Sequence, residues 1–401
     1  MTYTSRAIII GGGIAGPAAA LFLRRAGIDS RIFEAYPEPT TIGGGFQIAP
    51  NGMRVLRALG LADRVAAAGV PSTEFVFRNQ RGHTIGRIDV SRSGYGVTMF
   101  RAAFHRILLD EIGRCGIPVI YGKRLGAIEQ SPDTVVAHFE DGTMATGDIL
   151  LASDGVHSRA RALVLPTHSA PRYTGFLGVG GFAEESTPLI TADAEDARHL
   201  NFTMGPRLQF GYATVSLTSP RWGWWTHLPQ ERELTRAELQ SIPDSEFRER
   251  VLAAFRGLHA PVEALVSSTA RVMRTAIYDV PTLPAWHVGR VMLLGDAAHA
   301  MSPAGGQGAS LALEDAMVVG LGLGRGSEPV AQTFATAESM LRARAERMVR
   351  QAAENDRRQL KQLGTFGQWI RDRLFPLFVP FIARELEHQY AALQEVSAAA
   401  A

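Results

Sequence analysis

The sequence predicts an α/β protein. A parallel-sheet domain is interrupted by an α+β domain with a mostly antiparallel sheet, and helices close the chain. Three observations predict it. A glycine-rich turn, Gly11 to Gly16, sits between a short apolar strand and an Ala- and Leu-rich helix, as at the opening of a nucleotide-binding βαβ unit. From about Arg172 the texture changes to alternating segments rich in Phe, Tyr, Trp and Thr. Near residues 288–294 an apolar strand returns, and helical patterning follows it.

The elements follow in order. Residues 6–10 form a β-branched strand, 15–26 a helix closed by Gly27, and 30–33 a second strand with a right-handed crossover. Residues 43–50 read as a glycine-rich loop and 51–59 as a helix stopped by Gly60. Residues 73–90 alternate around a turn at 79–82. A helix at 101–115 precedes strands at 118–121, 125–129, 135–139 and 149–152, with Asp141-Gly142 as a hairpin signal. Segments 175–183, 199–216 and 221–228 read as antiparallel strands. Helices near 235–256 and 261–267 and a strand near 271–279 follow. Residues 335–362 form a long helix. Glu338–Arg342 is an i,i+4 pair, and Arg342, Arg344, Glu346, Arg347 and Arg350 read as a solvated face. Beyond it, Trp369, Ile370, Leu374, Phe375, Phe378 and Phe381 make an apolar face interrupted by Pro376 and Pro380. That face covers the pocket entrance, packs on the body or touches lipid. The expected division is 1–72, 98–171 and 285–362 for the first domain, 73–97 and 172–284 for the second, and 363–401 for a C-terminal helical segment.

Composition narrows the function classes. The chain has 401 residues, 46% hydrophobic and 20% charged, which is ample for two or three domains and excludes a largely disordered chain. A net charge of +2 argues against nucleic acid as a partner. The single cysteine, Cys115, excludes an internal disulfide and a zinc site built on paired cysteines, and no metal is expected. No run approaches the ~20 apolar residues of a membrane span, and the opening run is too short for a signal peptide. A cytoplasmic monomer or homodimer is the expectation.

Three motifs carry chemistry. In the first, Gly11 permits the tight turn, Gly13 lets backbone approach a pyrophosphate, and Gly16 permits close helix–strand contact. The following helix offers its free N–H groups to phosphate. Glu34, 18 residues beyond Gly16, is positioned to accept ribose hydroxyls, and its charge disfavours a 2′-phosphate, so the site suits FAD or NAD better than NADP. The second motif is Asp154-Gly155, directly after an apolar strand. The third is Gly295-Asp296-Ala297-Ala298-His299, continuing through Pro303 to Gly308 and Glu314-Asp315. Asp296 at a strand's carboxyl end can bind a ribityl hydroxyl. The small residues of 303–308 let a flat ring lie against backbone at a helix N-terminus. His299, inside this motif, reads as ordering backbone, and Cys115 as buried and inert.

In this order the motifs resemble the single-component FAD-dependent aromatic hydroxylases, the class A flavoprotein monooxygenases similar to p-hydroxybenzoate hydroxylase. The resemblance runs over residues 5–352 and includes Arg101 with Phe104, His105, Arg106 and Leu108, and Pro50-Asn51 with residues 54–61. It departs at Thr40 and Thr41, where family members usually carry an Arg.

The resemblance implies a Rossmann-like FAD-binding domain. Its FAD contacts would come from Gly11, Gly13, Ile14, Ala15, Gly16, Glu34, Ala35, Gly45, Arg101, Leu125, Asp154, Gly155, Asp296, Pro303, Gly306, Gln307, Gly308 and Ala309. It implies noncovalent FAD, NAD(P)H as transient donor, and oxygen transfer from O2 through a flavin C4a-hydroperoxide to an apolar aromatic or polycyclic substrate of natural-product type. NADPH is mildly preferred. The alternatives are an epoxidase and a redox-silent flavoprotein cyclase. Candidate substrate-pocket residues are Phe46, Gln47, Phe210, Tyr212, Trp224 and His227.

Overall fold

The computed structural model describes residues 2–4, 6–39, 43–168, 170–183, 198–216, 221–326, 328–359, 361–391, 393 and 396. Its central sheet has six strands in the order His287–Val288, Val291–Leu293, Ile149–Ala152, Ala7–Ile10, Ser30–Phe33, Val119–Ile120. All neighbours are parallel except the first pair. Every residue of Ala7–Ile10 and Ile149–Ala152 is buried, as a parallel sheet covered on both faces requires. Helices Ala15–Arg25 and Gly308–Arg325 pack closely: a Cβ added at Gly320 would lie 2.5 Å from Cβ of Phe22. A four-stranded sheet (Thr2–Thr4, Met144–Gly147, Val135–Phe139, Leu125–Gln130) joins through Phe139, whose ring stacks 4.8 Å from that of Phe33.

The second large sheet has seven strands, in the order Thr269–Asp279, Arg172–Ala183, Trp222–Pro229, Gln209–Thr214, Leu200–Met204, Glu74–Asn79, Thr84–Asp89. It is antiparallel except where Leu200–Met204 meets Glu74–Asn79, so segments far apart in sequence share one sheet. Its outer face packs Val179, Phe210, Tyr212, Trp222 and Trp224 against Leu239, Phe247, Val251 and Leu265 of the helices Arg236–Ser241, Asp244–Ala254 and Ala260–Ser267, and against Phe255 just past the second of them. Its inner face meets the first unit: the Phe182 ring lies 4.7 Å from that of Phe100.

Several elements differ from the sequence expectation. Within the expected loop 43–50, Gly45–Ile48 is a strand, paired with Gly96–Phe100 in a three-stranded sheet with Val70–Ser72. Glycine hides strand propensity there because cross-strand pairing, not the side chain, supplies the order. The segment 199–216 is a hairpin, turned where Gly205 N donates to Leu208 O at 2.9 Å. The long helix starts earlier, at Val330, and runs to Gln359. Its charged face is only partly solvated. Glu338 is buried, accepting Trp286 N–H at 2.9 Å and lying 2.7 Å from His287 Nδ1, while Arg344 pairs with the buried Glu314 of the neighbouring helix. The final helix, Thr365–Ala391, runs through both Pro376 and Pro380. Among the described residues no helix is long and apolar enough to cross a membrane.

Candidate active site

The glycine turn is built by sterics. Gly11 has φ 104°, and a Cβ there would overlap the Ser153 carbonyl oxygen. A Cβ on Gly16 would overlap the Gly11 carbonyl oxygen, so helix Ala15–Arg25 can start only where position 16 has no side chain. Gly13 is different. Nothing lies within 4 Å of an added Cβ, which leaves open space at the helix N-terminus where a pyrophosphate could approach. Ile14 and Ala15 are buried, so backbone is what they offer. His105 Nε2 lies 2.6 Å from Gly12 O and ties helix Arg101–Arg114 to the turn.

Glu34 ends its strand with its carboxylate already engaged. Oε2 accepts Gly12 N–H at 2.7 Å and Oε1 accepts Tyr36 N–H at 2.9 Å. Each oxygen keeps a second lone pair for a ribose hydroxyl, so the side chain can shape the turn and meet a ligand at once. Ala35 beside it is half-buried. Leu125, buried at the start of its strand, can meet a ligand only through backbone. Arg101 is exposed at its helix start, its stem against Gly43, and its N–H donates to Gly44 O at 3.0 Å. Thr40 and Thr41 lie outside the described residues.

Asp154 is directed inward. It accepts Ser158 Oγ at 2.5 Å and Ala160 N–H at 3.0 Å, which holds the turn at Gly155 (φ 82°) and the start of helix Arg159–Val164. Burial pushes its carboxyl above the usual range, against the pull of these hydrogen bonds. The sequence reading passed over Arg161, which is fully buried. It donates to Ala297 O at 2.8 Å and Val156 O at 2.5 Å, joining the Asp154 loop to the third motif. An Arg in a short helix that also carries Arg159 has no sequence signal of burial.

In the third motif the residues divide by exposure. Asp296 is exposed while Gly295, Ala297, Ala298 and His299 around it are buried, so its carboxylate faces outward past the carboxyl end of strand Val291–Leu293. His299 faces inward instead: Nε2 lies 2.7 Å from Asp315 Oδ2, which also accepts Gly295 N–H at 2.7 Å. Burial alone would lower the imidazole pKa, but the Asp315 charge and hydrogen bond outweigh it, and the pKa is raised. Pro303 and Gly306 (φ 63°) are exposed on the loop, Gly308 and Ala309 half-buried at the helix start. Gln307 is buried, donating to Gln389 Oε1 at 3.3 Å, and its own Oε1 has no hydrogen-bond partner among the described residues.

The loop is braced from behind. Ala49 N donates to Ser310 Oγ at 3.0 Å and Asn51 Nδ2 to Glu314 Oε1 at 3.0 Å, fixing strand Gly45–Ile48 beside helix Gly308–Arg325. Burial raises the Glu314 carboxyl pKa, partly countered by Arg344 and Asn51. An open cradle at Gly13, an exposed carboxylate at Asp296 and, at Gln307, an oxygen with no partner among the described residues fit the pyrophosphate, the ribityl chain and the ring edge of FAD.

On the substrate side the register corrects the sequence reading. Phe210, Tyr212 and Trp224 are buried in the outer core, Phe210 stacked on Trp224 at 5.5 Å, and cannot line a pocket between the units. Phe46 turns into the first core, 5.6 Å from Phe104. Gln47 lies on the other face of its strand, the face on which Gly45 meets Phe182 and Val215. His227 is on the inner face, buried, with Nδ1 3.2 Å from Asp356 Oδ1. Phe182, Phe202 and Trp225 are among the inner-face aromatics, with the rings of Phe202 and Trp225 5.9 Å apart. A Cβ on Gly211 would overlap the Trp225 indole, so glycine is what lets that ring lie flat on the sheet. Alternation signals the two faces of a strand but not which one faces the other unit.

Residues 4–352 match a family model described as FAD binding domain. The chain is 34% identical over 317 residues, 77% of this chain and 76% of the relative, to a 3-amino-4-hydroxybenzoate 2-monooxygenase of Streptomyces cremeus. It is 31% identical over 369 residues to a 6-hydroxynicotinate 3-monooxygenase of Bordetella bronchiseptica, covering 87% of this chain and 91% of the relative. The structure of Klebsiella pneumoniae HpxO complexed with FAD and uric acid superposes with a TM-score of 0.79 at 27% identity, covering 99% of this chain and 95% of that one.

Proposed function

The chain belongs to the FAD-binding-domain family and is an FAD-dependent monooxygenase that hydroxylates an aromatic substrate; on that premise we propose that its substrate is a fairly large, apolar ring system and that NAD(P)H is the donor. The observation that carries the substrate class is the inner face of the second sheet. There the Trp225 indole lies over Gly211 with its centroid 5.9 Å from that of Phe202, and Phe182 lies against Gly223 and Gly45. An aromatic surface turned toward the first unit suits a flat apolar ring and excludes water from it.

We assign residues 1–72, 98–171 and 285–362 to FAD binding and 73–97 with 172–284 to the substrate. The pairing of strands Glu74–Asn79 and Leu200–Met204 supports that grouping. Gly13 would admit the pyrophosphate, Glu34 a ribose, and Asp296 a ribityl hydroxyl. The N–H groups opening helix Gly308–Arg325 would face the electron-rich edge of the ring system and favour negative charge there. Bound FAD supplies the redox chemistry, accepting hydride and activating O2. Asp154 and Arg161 keep the two loops in register. NADPH is the preferred donor in this reading, and FAD is held noncovalently, since Cys115 caps the far end of helix Arg101–Arg114.

The test is product analysis under ¹⁸O₂ with NADPH and NADH, across phenols and polycyclic aromatics. Labelled hydroxyl in a polycyclic product is the expected result. Labelled epoxide would point to an epoxidase. Unlabelled product formed anaerobically would point to a redox-silent cyclase. Turnover confined to small polar rings would overturn the substrate class.

A further inference from the structure

Trp225 and His227 stand two residues apart on strand Trp222–Pro229, so both side chains leave the inner face of the second sheet. There His227 meets Asp356, on the last turn of helix Val330–Gln359. Nδ1 and Oδ1 are 3.2 Å apart, and both side chains are buried. The helix brings this pair close to the loop Pro303–Gly305. A Cβ added at Gly305 would lie 3.3 Å from Cβ of Ala352. Asp356 follows Ala352 on the same helix face, one turn or about 6 Å further on.

The pair is only half satisfied. A carboxylate beside Nδ1 favours the tautomer protonated there, which leaves the Nε2 lone pair as an acceptor. Among the described residues nothing donates to that lone pair. Oδ2 of Asp356 is buried without a partner among them, and so is Oε1 of Gln359, three positions along the same helix face. Gly178, cross-strand from His227, has no side chain to offer. Buried acceptors are nearly always matched by a donor. A bare apolar ring would leave all three unmatched, whereas a hydroxyl or amino group on the ring supplies the donor. On the apolar-ring reading above, we propose that His227, positioned by Asp356, determines specificity by holding an O–H or N–H donor borne on the substrate ring.

The experiment is calorimetric titration of the full-length, FAD-loaded protein with two probes, 2-naphthol and 2-methoxynaphthalene. Methylation removes the donor hydrogen and keeps the ring. The parent should bind 2-naphthol about tenfold more tightly than the ether. In His227→Phe that ratio should fall to about one, through loss of 2-naphthol affinity and not of ether affinity. In Asp356→Asn the side-chain amide can donate to Nδ1 and move the ring proton to Nε2, so the ratio should fall to about one or reverse. A merely structural pair would weaken both probes together, and that result overturns the proposal. If His227→Phe does not fold, Asp356→Asn decides. Equal affinities in the parent, or a tenfold preference that survives in both variants, also overturn it and leave the apolar-ring reading standing. Binding of neither probe by the parent overturns that reading and this proposal with it. Both variants should keep the parent's FAD content; loss of FAD would make the cofactor the missing donor and overturn the assignment to substrate.

Discussion

His299 Nε2 and Asp315 Oδ2 lie 2.7 Å apart, both side chains buried, and the same carboxylate oxygen holds the Gly295 N–H. One ion pair thereby sets the turn that presents Asp296. Removing one partner leaves a buried charge unpaired, so Asp315→Ala should destabilise the fold by about 3–5 kcal/mol, read by urea unfolding. The imidazole pKa is raised, so the pair's contribution is present below the ordinary histidine pKa and is lost as pH rises through the raised one. The stability gap between the parent and Asp315→Asn should therefore narrow on the alkaline side. A gap independent of pH would mean that the ring is neutral throughout.

Gly13 and Gly16 separate ligand binding from folding. Gly13→Ala places a methyl in open space, so the protein should fold with parental secondary structure and Tm in its FAD-free form yet bind FAD weakly. Gly16→Ala forces helix and strand apart and should yield little soluble protein. Circular dichroism and flavin titration of both variants check the contrast.

Asp296 is exposed, and in the function proposed above Asp296→Ala would remove one charge-assisted hydrogen bond to the cofactor. The cost in FAD affinity should be about 1.5–3 kcal/mol, or roughly ten- to a hundredfold in Kd. Thermal stability of the FAD-free form should not change. Fluorescence titration with FAD measures the first and scanning calorimetry the second.

Trp225 and Trp224 should behave oppositely. Trp225→Ala removes an inner-face wall and should raise KM for an aromatic substrate with little loss of stability. Trp224→Ala empties the outer core, where Phe210 stacks on it, and should cost about 3–5 kcal/mol. Steady-state kinetics beside denaturant unfolding distinguishes the two.

His259 predicts acid sensitivity in the second sheet. Burial, and then the Arg78 charge, lowers its pKa from 6.5 to about 4, and Nε2 lies 2.6 Å from Thr203 Oγ1. A lowered folded pKa means that the neutral ring's contribution is complete above 6.5 and is lost as pH falls towards 4. The Tm of the parent should fall over that window, and that of His259→Gln should fall less. Parallel profiles would remove His259 as the cause.

The cofactor side was legible in the sequence because its chemistry is local. Gly11, Gly13 and Gly16 are read by spacing along one strand–turn–helix, and Asp296 by its place at the end of an apolar run. Backbone sterics confined to a few consecutive residues leave a signature in the chain itself. The buried partners of those motifs are not local. Arg161 reaches Ala297 across 136 positions, and Arg344 reaches Glu314 from a different helix. Each reads as an ordinary surface charge until two helices or two loops meet.

The substrate face shows the division most clearly. By itself the sequence determined that residues 221–228 form an aromatic strand in an antiparallel sheet, because alternation and β-branched and aromatic content are properties of neighbours in the chain. Which tryptophan faces the other unit was decided only by tertiary structure. Trp224 and Trp225 point to opposite faces, and the helices of 236–267 happened to claim the face of Trp224. A strand's period-two pattern is symmetric between its faces, and only the packing of distant segments breaks that symmetry.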